Sequence, residues 1–135
     1  MNPTQRTLNY LRGEGWYCAV VEKWMKFGAM EFGRRVDAFG FGDILACRLE
    51  GSGAPAVIAL IQCTSRAGAN ARRRKLLGEL TEADLSRMTD KERIEAVNVS
   101  KMVKVWKRCG GVVMLITWKK PTKKERRWTE KVEII

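Results

Sequence analysis

The hydrophobic pattern of the chain is dominated by two nearly continuous apolar runs with turn-forming residues between them. The first, residues 43–49, is apolar apart from Asp43 and Arg48, and the second, residues 56–64, is apolar until Gln62. Runs of this kind belong inside a sheet, where neighbours cover both faces. The intervening EGSGAP, residues 50–55, is turn material, so the two runs are expected to form a β-hairpin. Setting Leu49 opposite Ala56 puts Asp43 opposite Gln62, and the two-residue period of a strand brings Thr64 to the same face.

The remaining pattern supplies elements on either side. Asn2 and Pro3 suit the N-cap and first position of a helix running through about Arg12, with Gly13 past its end. Residues 16–24 read as one strand and 26–35 as an irregular, glycine-containing connection. Residues 68–77 read as a helix entered from the strand end at Thr64 and Ser65. Thr81 with Asp84 marks a short helix, and Thr89 with Glu92 predicts a capping box opening a longer one to about Arg108. In that helix Val99, Met102, Val103 and Trp106 form a core face at helical spacing. Gly110 and Gly111 end it, and 112–118 is a buried strand that a right-handed crossover makes parallel to 56–64. A charged loop, 119–127, leads to a last strand over 128–135. The expected fold class is α/β, with core order αβββαβ and a mixed central sheet flanked by helices.

Composition narrows the chemistry. At 135 residues and 45% hydrophobic, with no linker or repeat, residues 1–135 suit a single domain. Polar residues after Met1 and the lack of a long apolar run argue against secretion or membrane insertion. Cys18, Cys47, Cys63 and Cys109 are far apart and mostly within apolar runs, as expected of buried thiols in a reducing cytoplasm. There is no histidine, which excludes Ser-His-Asp and Cys-His catalysis and Cys₂His₂ fingers. With no C-x-x-C and no P-loop motif, carboxylate, amide, hydroxyl, ammonium and guanidinium groups remain.

Those groups gather at the hairpin mouth. A carboxylate in an apolar setting is expensive unless partnered, and a divalent cation is one partner for Asp43. The plainer alternative is that turn amides satisfy Asp43 while Gln62 and Thr64 satisfy each other. An acid opening a D-[IL]-[IL]-A strand, then a turn, then a strand ending in acid-x-Lys-[ST], is the pattern of the PD-(D/E)XK nuclease superfamily. Residues 43–65 resemble it, and archaeal Holliday-junction resolvases in particular, as does LRGEGW at 11–16. Asp43 stands at the family's Asp, Gln62 at its Glu, Thr64 at its Lys and Ser65 at the small residue that follows.

The resemblance implies a restriction-endonuclease-like core, Mg²⁺ or Mn²⁺ held by the two acids, and a lysine that positions water or stabilises charge in the transition state. Gln62 can still offer a neutral oxygen to a hard cation, but Thr64 cannot replace an ammonium. The acid that resolvases carry on the first helix is also missing, since residues 2–12 contain no Asp or Glu. Glu22 and Asp37 are candidates to complete the metal site, against the plainer readings of a solvated strand end and a turn cap. For the missing cation Lys23 ranks first, ahead of Arg72 and Lys75.

Charge points to the partner. Lys and Arg number 26 against 15 Asp and Glu, a net +11, as expected of a protein that meets polyphosphate. Candidate contacts to DNA are Arg66, the run Arg72, Arg73, Arg74 and Lys75, and Lys119 and Lys120 at the start of the basic loop; each run taken alone could be a solvated face. Trp16 and Trp106 suit the core, whereas Trp24, Trp118 and Trp128 stand at strand ends, where they close a core or stack on bases. The resulting expectation is a cytoplasmic, metal-dependent DNA endonuclease or resolvase-like enzyme of phage or bacterial DNA processing, in which catalysis involves Asp43, Gln62, Thr64 and Lys23. The resemblance leaves room for a homodimer. The alternatives are an inactive nuclease-fold DNA-binding module, or an interaction protein using its basic face on RNA or an acidic partner.

Overall fold

The computed structural model describes residues 1–26, 33–49 and 56–135. Asn2 accepts from the Gln5 N–H and Pro3 opens helix α1 (Pro3–Gly13), a start that satisfies one of the otherwise unpaired first-turn amides. Strand β1 (Tyr17–Val20) follows, then β2 (Lys23–Lys26), β3 (Gly33–Val36), β4 (Ile44–Leu49) and β5 (Ala56–Ser65). A 3₁₀ turn (Arg66–Gly68) runs into α2 (Ala69–Leu77), followed by α3 (Glu82–Ser86), α4 (Asp90–Arg108), β6 (Val112–Lys119) and β7 (Thr129–Ile134).

Five strands form a mixed sheet in the order β1-β4-β5-β6-β7, and β2 and β3 pair separately. β4 and β5 are antiparallel with Leu49 opposite Ala56 and Ile44 opposite Ile61, the register expected from the hydrophobic pattern. The turn between them, 50–55, lies outside the described residues. β5 and β6 are parallel, as the crossover through three helices requires, and β7 returns antiparallel to β6. Alternation along the strands divides the core in two. Ile44, Ala59, Ile61, Met114 and Ile116 pack under Leu8 and Leu11 of α1, whereas Leu60, Val113 and Leu115 pack under Leu76, Val99 and Val103 of α2 and α4.

Four expectations are corrected. The strand over 16–24 is broken, because β1 runs out of partner where β4 begins: the last pair is Val20 with Ile44, after which the Val21 N–H bonds the Asp43 carbonyl. The chain then leaves the sheet, and 26–35, read as irregular, contributes β3 to a hairpin with β2; residues 27–32 lie outside the description. The complete capping box is at Thr81 and Asp84, while Thr89 provides only its own half, accepting from the Glu92 N–H. Cys63 alone is a buried thiol; Cys18 is half-buried, and Cys47 and Cys109 are exposed because they lie on an open strand face and past a helix end.

The tryptophans also sort themselves. Trp118 is buried and donates through its indole nitrogen to Thr7 Oγ1 at 2.9 Å, so it fastens β6 to α1 and is not a free stacking surface. Trp128 is capped by the Arg6 guanidinium 3.6 Å from its ring centre. Trp24 lies on β2, and its side chain is outside the described residues. Among the described residues no helix is long and apolar enough to cross a membrane.

Candidate metal centre

Asp43 is fixed where three strands meet. Its N–H bonds the Ile61 carbonyl at 2.8 Å and its carbonyl accepts from Val21 at 3.0 Å, which locks the backbone between β1 and β5. Two places beyond Ile44 and Ile61 the register would pair residue 63 with residue 42, but the Gly42 carbonyl is taken by the Ala38 N–H inside the turn. The Asp43 carboxylate fills the gap: Oδ2 accepts from the Cys63 N–H at 2.7 Å and from Gln62 Nε2 at 2.9 Å. The turn depends on Gly42, where a Cβ would lie 2.4 Å from Leu60 Cγ.

The β2–β3 hairpin brings in two more acids. Its register pairs Lys23 with Val36, so Glu22, just before β2, and Asp37, just after β3, flank its open end. Ligand oxygens of Glu22, Asp37 and Asp43 lie within 4.8 Å of one another, Asp43 buried and the other two half-buried. The Asp43 carboxyl is pushed up from 3.8 to about 7, first by burial and then by the charges of Asp37 and Glu22, against the stabilising Cys63 N–H. Three crowded acids, the buried one of which is held by a backbone and an amide donor, suit a hard divalent cation, because it satisfies the charge that burial penalises. The three acids can therefore hold one metal ion; their donor set favours oxygen-seeking ions as a class.

Gln62 meets Asp43 through its nitrogen, so in this contact it orients the carboxylate and does not present an oxygen to a cation. Thr64, buried, lies beneath Gly68: a Cβ on Gly68 would stand 2.8 Å from Thr64 Oγ1 and 3.8 Å from Arg72 Nε. The position of the resembled family's lysine is thus roofed by the first turn of the next helical segment, with the Arg72 guanidinium beside it. Lys23 is exposed on β2 and is not part of the cavity lining next to the acids. That cavity, about 500 Å³, is lined by Asp37, Gln62, Arg72 and Lys75 among others, so one of the three acids and two cations share its wall. Burial pushes the Cys63 thiol up to about 12, so it stays protonated and takes no part as a thiolate.

The other basic candidates divide by partner. Arg74 makes two bonds of 2.7 Å to Asp84 and holds its carboxyl well below the usual range. Arg73 reaches Glu133 at 2.6 Å and Asn70 at 2.7 Å. Both serve to tie α2 to its surroundings, which the sequence run of four cations does not reveal. Arg66, Lys119 and Lys120 are exposed and line a cleft of about 680 Å³ at the carboxyl ends of β5 and β6. Open α/β sheets usually bind ligands at this edge.

Sequence reasoning placed Glu22 and Asp37 among the metal candidates but missed the hairpin that joins them. The signal was the pair of acids bracketing two short strand-like segments. Compared with protein-family models, with curated proteins and with solved structures, the chain matches none.

Proposed function

We propose that the protein is a divalent-metal-dependent phosphodiesterase that acts on DNA, with Asp43, Asp37 and Glu22 as the metal-holding acids. The observation that carries this reading is the convergence of three carboxylates beside a cavity that also presents Arg72 and Lys75. The +11 net charge supports a polyphosphate substrate. The element order α1-β1-β4-β5-helices-β6 supports a restriction-endonuclease-like core, to which the β2–β3 hairpin and β7 are additions.

In this reading Asp37 and Glu22 replace the acid that Gln62 no longer supplies. Gln62 and the Cys63 N–H fix the rotamer of Asp43 by bonding one oxygen, a positioning role. Arg72 and Lys75 bind the phosphate opposite the acids, and Arg72, beside Thr64, is the better placed to meet charge that develops at phosphorus. When bound, Mg²⁺ or Mn²⁺ supplies Lewis-acid stabilisation of that charge. Phosphodiester cleavage in plasmid DNA with Mn²⁺ or Mg²⁺, lost in EDTA and in Asp43→Asn and Asp37→Asn, is the expected result. Cleavage that survives EDTA or both variants refutes the metal role.

A second reading is favoured by one observation. Thr64, where the resembled family has lysine, is buried under Gly68, which leaves no ammonium at that position. A DNA-binding module of the same fold would show tight, metal-insensitive binding and no cleavage under any of these conditions.

A further inference from the structure

On the other flank of α2 lies a second cleft of about 480 Å³, lined by Arg66, Asn70, Arg73, Thr117, Lys119 and Lys131, together with Glu130 and two further residues. We propose that this cleft is a phosphate-binding subsite that holds a nucleic-acid backbone a few nucleotides from the carboxylate cluster. The proposal rests on the reading of DNA as substrate and adds to it a place where the strand is gripped.

Three independent features converge there. Thr117 is 6% exposed, and its Oγ1 is buried without a hydrogen-bond partner although the residue lines the cleft. An orphaned buried hydroxyl costs free energy, and a ligand oxygen is one way to satisfy it. The helical segment beginning at Arg66 enters uncapped: Ser65 and Gly68 make no side-chain cap bond, and neither the 3₁₀ turn nor α2 has an acid in its first turn. Unpaired first-turn N–H groups and the helix dipole together favour an anion.

The charge balance is the third feature. Glu133 is held between Arg73 at 2.6 Å and Lys131 at 3.1 Å, so it cancels only part of their charge, while Arg66 and Lys119 add more. Glu130 is the acid in the lining, but alternation along β7 turns its side chain to the opposite face from Lys131, where its charge acts on Tyr10. A tetrahedral oxyanion would therefore meet hydroxyl, guanidinium, ammonium and backbone donors together.

The position of the cleft selects a strand over a free ion. Thr117 pairs with Thr64 on β5, two residues beyond Gln62, which faces Asp43. Strand spacing and rise put Asp43 and Thr117 roughly 12 Å apart at Cα. At 3.4 Å of rise per nucleotide this spans about three or four nucleotides. The start of α2 lies between the two sites, with Arg72 and Lys75 on one flank and Arg66 and Arg73 on the other.

The test uses the full chain in EDTA, a short fluorescein-labelled duplex of mixed sequence followed by anisotropy, and inorganic phosphate followed by amide NMR shifts. Thr117→Val is isosteric and removes the orphaned hydroxyl, so it should leave Tm unchanged or raised while weakening duplex binding about tenfold. Thr117→Ser should retain affinity. Lys119→Gln should weaken binding and reduce the slope of log affinity against log salt by roughly 0.9. Phosphate should shift the amides of residues 66–70. If the duplex binds the wild type but equally well Thr117→Val and Lys119→Gln, with no phosphate shifts at 66–70, the subsite is overturned while the reading of DNA as substrate survives. If phosphate shifts those amides but no duplex binds, the nucleic-acid occupant is overturned and that reading falls with it.

Discussion

Asp43→Asn should stabilise the metal-free protein at alkaline pH while abolishing its response to metal. The hydrogen bonds that Asp43 accepts from the Cys63 N–H and Gln62 Nε2 fall on the same oxygen, Oδ2. An asparagine can keep its carbonyl oxygen there and turn its NH₂ group toward Glu22 and Asp37, so the substitution removes charge and preserves geometry. The folded carboxyl sits at about 7 against an ordinary 3.8. Below 3.8 it is protonated in both states and carries no penalty; between 3.8 and about 7 the unfolded chain ionises while the folded chain keeps its proton, so stability falls as pH rises. Above about 7 the whole penalty is present, a shift of about three units at roughly 1.4 kcal/mol each, or up to about 4 kcal/mol.

Urea unfolding of wild type and Asp43→Asn in EDTA, repeated across that pH range, measures the difference directly. The variant should match the wild type in acid and gain up to about 4 kcal/mol on it by pH 8. Adding Mn²⁺ at pH 8 should restore the wild type by about 2.7 kcal/mol when the ion is at a hundredfold its Kd, and should leave the variant unmoved. Parallel curves, or a variant less stable than wild type at pH 8, would refute the idea that crowded, buried charge defines this site.

The other tests separate binding from structure. Arg72→Ala and Lys75→Ala should each reduce the salt slope of duplex binding by roughly 0.9, whereas Arg74→Ala should leave the slope unchanged and lower Tm, because its guanidinium is committed to Asp84. Gly68→Ala should cost about 1–3 kcal/mol in urea unfolding, since its Cβ would press to 2.8 Å from Thr64 Oγ1 in a buried setting. Trp118→Phe, which deletes the indole bond to Thr7, should cost about 1 kcal/mol, and an unchanged unfolding midpoint would show that this bond adds nothing to the docking of α1.

The hairpin at the centre of the site was legible because two apolar runs are joined by six turn-forming residues, and Asp43 and Gln62 follow from counting outward from Leu49 opposite Ala56. The crossover to β6 was legible from chirality and the long capped helix. The β2–β3 hairpin was not legible, because each strand has four residues, the segments carry lysines and arginines, and neither alternates cleanly. The break that frees it comes where β4 begins, a tertiary fact, and the acids that bracket the two segments are its one trace in the sequence. The fate of the cationic run was hidden for the same reason: Arg73 finds Glu133 sixty residues away, and Arg74 finds Asp84 across a helix junction. Trp118 looked like a strand-end aromatic until the helix at the opposite end of the sequence supplied Thr7.

These particulars bear on whether the altered motif can work. In the resembled family, the second metal-holding acid and the cation both come from the second hairpin strand; here that strand supplies an amide, a buried hydroxyl and no charge at positions 62 and 64. The negative charge instead comes from the β2–β3 hairpin, which brings Glu22 and Asp37 to Asp43, and positive charge is available across the cavity from α2. Moving a carboxylate to another strand costs little, because a hard cation accepts oxygen ligands in flexible arrangements. Moving the cation is more demanding, because transition-state stabilisation needs a donor held within hydrogen-bond reach of the developing charge. Gly68 bears on this second requirement: lacking a side chain, it lets the start of α2 close over Thr64 and sets Arg72 beside the position the ammonium would occupy. On the proposed reading, the acids at the β2–β3 hairpin and the glycine-roofed arginine together compensate for the changes at 62 and 64, and that reading requires both.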